Sequence, residues 1–264
     1  MTADSKPWLL AETTYGWVKE QPYEVAVLPF GATEPHNLHL PYGTDTFEAD
    51  IVGARACERA WRAGAKVVLL PTIPYGTETN MAALPLAMNL NPSTLLAIVS
   101  DLVETLTRCG IRKVLLLNSH GGNDFKPILR ELAGRSTAQL FLCDWFRMIG
   151  DVYHEVFQAK EDHAGEMETS VILAVRPDLV ARTAEGALRA DEGATAPFRI
   201  EALSRGWVGL TRPWHSLTTN TGSGNPHAAT AEKGERILEI VADRLSQFLV
   251  DLAGAELDER FPFA

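Results

Sequence analysis

Short apolar runs recur along the chain at Val25 to Leu28 (VAVL), Val67 to Leu70 (VVLL), Val114 to Leu117 (VLLL) and Leu140 to Leu142 (LFL). Each is free of charge and bounded by turn or polar residues, as expected of strands buried on both faces of a parallel sheet. Between the runs the spacing becomes helical: Phe47 to Trp61 is rich in Ala, Glu and Arg, Pro92 to Cys109 follows, and a shorter segment covers about 123–132. Asn91 before Pro92 predicts an N-cap with proline at the first helical position, and Gly110 predicts the stop. Glu166 to Val175 reads as a helix ended by Arg176-Pro177, and Thr230 to Leu252 as a long amphipathic helix closing the fold. Residues 186–225 carry no regular period. Strands alternating with helices predict an α/β class, a mostly parallel sheet flanked by helices. With no internal repeat, low-complexity tract or linker, 1–264 is read as one domain.

Composition narrows the partners. The 264 residues are 46% hydrophobic and 22% charged, enough apolar material for a sizeable core. A formal net charge of −10 without a Lys/Arg cluster argues against a nucleic-acid footprint and favours a small molecule or a protein as partner. Cys57, Cys109 and Cys143 are too few and too scattered for a disulfide framework or a thiolate zinc site, and read as small buried hydrophobes. No basic-then-apolar leader and no run of about 18 apolar residues is present, so a cytoplasmic location without membrane contact is expected.

The candidate chemistry lies directly after the first predicted strand, in Pro29 to Asp45 (PFGATEPHNLHLPYGTD), which holds Glu34, His36, His39 and Asp45. In α/β sheets ligands gather at the carboxyl ends of strands, where this loop falls. In extended backbone, residues two apart share a side, so Glu34 and His36 can face one point. A second candidate follows the third strand, Asn118-Ser119-His120-Gly121-Gly122-Asn123, where glycines permit the close backbone approach a crowded site demands. Carboxylates and imidazoles without thiolates suit zinc, manganese or iron(II). Two ions roughly 3.5–4 Å apart need a bridging carboxylate, and Asp45 is the candidate bridge. A third cluster, Asp162-His163-Ala164-Gly165-Glu166-Met167-Glu168, precedes a helix, and its acids can simply complement the helix dipole. His163 has no such explanation, and could protonate a leaving nitrogen or orient a water. A lone loop histidine is more often structural, and E-x-H alone is a weak signal; the case rests on several such motifs falling at successive strand ends. Trp145, Trp207, Trp214 and His215 are candidate pocket-lining residues if 186–225 folds over the site, against core or oligomer contact as the commoner use of such aromatics.

The motifs P-F-G-A-T-E-P-H-x-x-H-L-P-Y-G-T-D, N-S-H-G-G-N, H-A-G-E-M-E-T-S and G-S-G-N-P-H-A-A-T-A-E-K-G together resemble the creatininase (creatinine amidohydrolase) family over roughly residues 25–240. The resemblance implies a single-domain three-layer α/β sandwich, a homo-oligomer, often a hexamer, and two divalent metal ions per subunit that hydrolyse a non-peptide C–N bond in a small-molecule amide. Glu34 and His120 would bind one ion, His36 the other and Asp45 both, with His163 the catalytic histidine. A metal-bound hydroxide would attack the carbonyl while His163 delivers a proton to the departing nitrogen. Members acting on creatinine carry an aromatic and then a ligating Glu after the histidine, and a Trp four residues before the catalytic one. Here those positions are Gly121, Gly122 and Ala159, which argues against creatinine and for a formamide or another cyclic amide. Glu166, three residues after His163, is the expected replacement ligand and a second catalytic candidate, with Glu168 facing elsewhere. His39 is expected to hydrogen-bond around the ligands. The alternatives are a family peptidase trimming a cofactor precursor peptide, and a non-catalytic metal-binding homologue that has kept the fold.

Overall fold

The computed structural model describes residues 6–263. Four strands form one parallel sheet: β1 (Val25–Phe30), β2 (Val67–Leu69), β3 (Lys113–Asn118) and β4 (Gln139–Asp144), in the order β2-β1-β3-β4. The five long helices are α1 (Thr44–Arg62), α2 (Pro92–Arg108), α3 (Lys126–Leu132), α4 (Glu166–Val175) and α5 (Ala231–Gly254). The period of two along each strand divides the core. Val25, Val27, Leu115 and Leu117 pack with α1, α4 and α5, whereas Ala26, Leu28, Phe30 and Leu116 pack with α2 and α3. Both faces are therefore apolar, which is why the strands read as unbroken hydrophobic runs rather than alternating ones.

Strand order places the site. From β1 the chain steps to β2 on one side and then to β3 on the other, so the order reverses between β1 and β3. Such a switch point leaves a crevice at the carboxyl ends of the two strands. The pairing of Phe30 with Asn118 brings the loop after β1 and the loop after β3 side by side there.

Several boundaries differ slightly from expectation. α1 starts at Thr44 rather than Phe47, putting Asp45 in its first turn, where the partial positive charge of the helix end favours a carboxylate. Asn91 has the extended backbone of an N-cap, but its side chain makes no cap bond; Asn89 donates to it instead. Residues 186–225 contain only single-turn helices, at Glu201–Ser204 and Trp214–Leu217, joined by isolated bridges. Among the described residues no helix is long and apolar enough to cross a membrane.

Helices α4 and α5 cross at Gly234, where a Cβ atom would lie 2.0 Å from the Ser170 carbonyl oxygen. Gly234→Ala should therefore destabilise the fold by about 1–3 kcal/mol through overpacking, although alanine is the better helix former. Thermal unfolding checks this: Tm should fall by about 2–4 °C per kcal/mol, and a rise would show that the helices separate without cost.

Candidate metal centre

The loop after β1 brings Glu34 and His36 into the crevice, and the first turn of α1 brings Asp45. His120 enters from the loop after β3. Glu34, His36, Asp45 and His120 are all buried. Asp45 sits between the two imidazoles: Oδ1 lies 3.1 Å from His36 Nε2, and Oδ2 lies 3.1 Å from His120 Nδ1. Glu34 Oε1 is 3.0 Å from His120 Nδ1 and 3.8 Å from His36 Nε2.

Local folding fixes these directions. His36 Nδ1 donates to the Glu34 carbonyl oxygen at 3.0 Å, which turns Nε2 toward Asp45. Asn118, the last residue of β3, accepts from the His120 amide at 3.1 Å and donates to the His120 carbonyl at 2.9 Å, closing the turn. Asn123 ties that turn to the loop after β2 by accepting from the Thr77 amide at 2.9 Å. Gly122 passes so close to the His120 ring that a Cβ would lie 2.3 Å from Nε2. With His120 in this position no carboxylate side chain can stand at 122.

The carboxylate that faces the crevice is Glu168, whereas Glu166, expected there from its spacing, does not line it. Helical geometry does not extend back to His163, because Ala164 has φ 51° and Gly165 is non-helical, with φ −96° and ψ −146°, so α4 begins only at Glu166. Glu166 turns away from the crevice, accepts from the Gln158 amide at 2.8 Å and pairs with Lys233 of α5. Glu168, in the same first turn, points inward, with Oε2 3.9 Å from His36 Nε2. Glu161 accepts from the amides of Met167 and Glu168 at 2.8 and 3.2 Å and so caps the helix.

Two further carboxylates went unread in the sequence. Glu78, in the loop after β2, has Oε1 2.5 Å from His120 Nε2. Glu48 follows Asp45 by three residues on α1, and its Oε2 accepts from the Ser119 hydroxyl at 3.2 Å. The signals were present: a third strand end for Glu78, and the i,i+3 helical face for Glu48. Burial, with Glu168 and Asp45 beside it, pushes the Glu48 carboxyl up. Burial also raises Glu34, whereas at Asp45 the His36 and His120 imidazoles outweigh burial and hold the carboxyl well below its usual range. Burial opposes protonation of His36 and His120, but Asp45 and Glu34 respectively lead the carboxylates that overcome it and raise both. So many acids share so few protons that the cluster suits cations. Glu48 Oε1 is buried without a hydrogen-bond donor, and Asp45 Oδ2 and Glu78 Oε1 both face the single His120 ring, an excess of buried carboxylate oxygen over donors that fits a cation site.

Three donor groups have atoms mutually within 4.8 Å: Glu34, Asp45 and His120; His36, Asp45 and Glu168; and Glu34, His36 and His163. The first two meet at Asp45. His163 stacks 4.1 Å from His36, and its Nε2–H donates to the Pro35 carbonyl oxygen at 2.9 Å. A carbonyl only accepts, so Nε2 carries the hydrogen and Nδ1 presents a lone pair 3.8 Å from Glu34 Oε1. Burial, then the neighbouring His36, lowers His163 to about 3, so the ring is neutral near pH 7.

Segment 186–225 does fold over the site. Ser223 and His163 exchange backbone hydrogen bonds, and Thr221 Oγ1 donates to the Pro35 carbonyl. Of the aromatic candidates, Trp214 is buried edge-on to His163 at 5.1 Å and lines the cavity. Trp145 lies in the core and donates to Ser119, Trp207 is 74% exposed, and His215 is exposed. His39 is buried beside Thr169 Oγ1, 2.8 Å from its Nε2.

A buried cluster of carboxylates and imidazoles at the switch point of a parallel α/β sheet marks a metal-binding class of protein. The family model described as creatinine amidohydrolase matches residues 11–249, and the chain belongs to that creatininase family, whose members are metal-dependent hydrolases. It is 28% identical over 234 residues to a mycofactocin precursor peptide peptidase of Mycobacterium ulcerans (strain Agy99), covering 84% of this chain and 83% of the relative. To the creatinine amidohydrolase of Pseudomonas putida it is 31% identical over 176 residues, 59% of this chain and 66% of that one. A crystal structure from Bacteroides fragilis NCTC 9343, provisionally named a creatinine amidohydrolase, superposes with TM-score 0.87 at 37% identity, covering 97% and 100% of the two chains. Solved creatininases of this fold include a manganese form and a zinc–zinc form.

Proposed function

We propose that this protein is a dinuclear-metal amidohydrolase that cleaves a formamide or cyclic amide. The observation that carries the reading is Asp45, whose two oxygens face two separate donor sets. One ion would be held by Glu34, Asp45 and His120, the other by His36, Asp45 and Glu168. Bound divalent ions supply an acidified water near neutral pH and polarise the amide carbonyl. His163 Nδ1 takes a proton from the attacking water and returns it to the departing nitrogen, its ring held by Pro35 and Trp214. Segment 186–225 covers the crevice and limits water around the reacting atoms. The cavity of about 100 Å³ favours a small substrate. The similarity to the mycobacterial peptidase supports a second reading, in which the same site trims a peptide end. A non-catalytic role is disfavoured by the grouping of buried carboxylates and imidazoles around Asp45 with His163 beside them.

A panel of formamides, cyclic amides and short peptides tests the reaction: turnover should vanish on chelation and return with Zn²⁺, Mn²⁺ or Fe²⁺. No turnover of any amide with the ions restored would contradict it. Ligand assignment is tested by two single substitutions. Glu168→Gln should lower the metal content of purified protein from two ions toward one. Glu166→Gln should keep both while losing about 1–3 kcal/mol of stability, because it breaks a largely buried charged hydrogen bond to Lys233. The opposite pattern by elemental analysis would return the ligand role to Glu166.

A further inference from the structure

Resting on the amidohydrolase reading, we infer that Arg212 is a specificity residue that receives a carboxylate on the substrate, so that the substrate class is an amide carrying a free carboxylate. The cavity walls include Glu34, Asp45, Glu78 and Glu168, and Arg212 is the one Lys or Arg among its lining residues. Arg212 is thus the one permanently charged cation that the chain supplies to this wall. That cation is held in place. Its Nη1 donates to Asp162 Oδ2 at 2.7 Å, and its guanidinium carbon lies 5.3 Å from the centre of the Trp214 ring. Among the described residues this is its only hydrogen bond, so the rest of the guanidinium fork is open to a ligand. Both anchors touch the reaction centre: Asp162 precedes His163 in the chain, and the Trp214 ring packs against the His163 ring. A carboxylate on Arg212 would thereby set an amide bond against His163.

The pair with Asp162 is half exposed, with side-chain accessibilities of 36% and 51%. Such pairs contribute little to stability, so its removal can be read as an effect on binding. A neutral or cationic cyclic amide would have no use for a guanidinium at this wall, consistent with a substrate other than creatinine.

The test separates binding from turnover by using a ketone in place of the amide. Levulinate, an uncleavable isostere of N-acetylglycine, and its uncharged counterpart 5-hydroxy-2-pentanone are titrated calorimetrically into metal-loaded protein. Wild type should prefer levulinate by about 10–100-fold, the range of a hydrogen bond between charged groups. The ratio should fall close to one in Arg212→Gln and recover in part in Arg212→Lys. A ratio unchanged in Arg212→Gln would place the carboxylate on the metal ions and overturn the inference, as would the absence of any preference in wild type. Turnover of N-acetylglycine against peptides with free and amidated C-termini then tells a small carboxylated amide from a peptide end as its source. Discrimination by Arg212 with no amide cleaved would leave the anion site standing and sink the hydrolase reading. Turnover without discrimination would do the reverse.

Discussion

Asp45→Ala should lose both metal ions together and, with them, essentially all amide turnover, while the chain still folds. The side chain is buried between His36 and His120, each 3.1 Å from a different oxygen, whereas Glu34 approaches both rings with one oxygen, at 3.0 and 3.8 Å. Removing a ligand that serves one ion leaves the other in place. Removing the shared one leaves two carboxylate–imidazole pairs with one protein ligand fewer each, and leaves any two cations without the negative charge that screens them from one another. Circular dichroism guards against unfolding, and elemental analysis gives the count. One ion retained at wild-type affinity would show that the two donor sets are independent and that Asp45 is not shared.

His163→Gln should lower kcat by about 10²–10⁴, the span of one positioned proton-transfer group, with both ions still bound. Nε2–H is committed to the Pro35 carbonyl, leaving Nδ1 as the basic atom toward Glu34 and the cavity. Glutamine keeps a donor for Pro35 but cannot shuttle a proton. Metal loss from this variant would instead make His163 a ligand, the arrangement in which it groups with Glu34 and His36.

Much of this site could be read from the residues before any coordinates. Four charge-free runs fixed the parallel sheet, because strands covered on both faces have no solvent side to mark with polar residues. Motifs at the ends of the first and third runs then had to meet if those strands paired, as Phe30 and Asn118 do. What failed was spacing across a change of backbone. His163 and Glu166 are three apart, yet the left-handed Ala164 and non-helical Gly165 intervene, and the inward carboxylate is Glu168. Glu78 was missed because it stands outside any dense motif and reaches His120 only through the fold. Trp214 became legible only once residues 186–225 were seen to lie over Pro35 and His163, a contact between segments far apart in sequence that no local period announces. Trp145, by the same measure, is a core residue whose indole N–H is satisfied by Ser119.

Gly122 also shapes the crevice: a Cβ there would lie 2.3 Å from His120 Nε2, so a side chain at 122 would displace the ring, and the carboxylate that faces His36 comes instead from Glu168 at the start of α4.

Two ions are expected to flank Asp45, and anomalous scattering from crystals of the metal-loaded protein would locate them. Two peaks per subunit are predicted, roughly 3.5–4 Å apart, one beside Glu34 and His120 and the other beside His36 and Glu168. A single peak, or none after loading with Zn²⁺ or Mn²⁺, would contradict the dinuclear account.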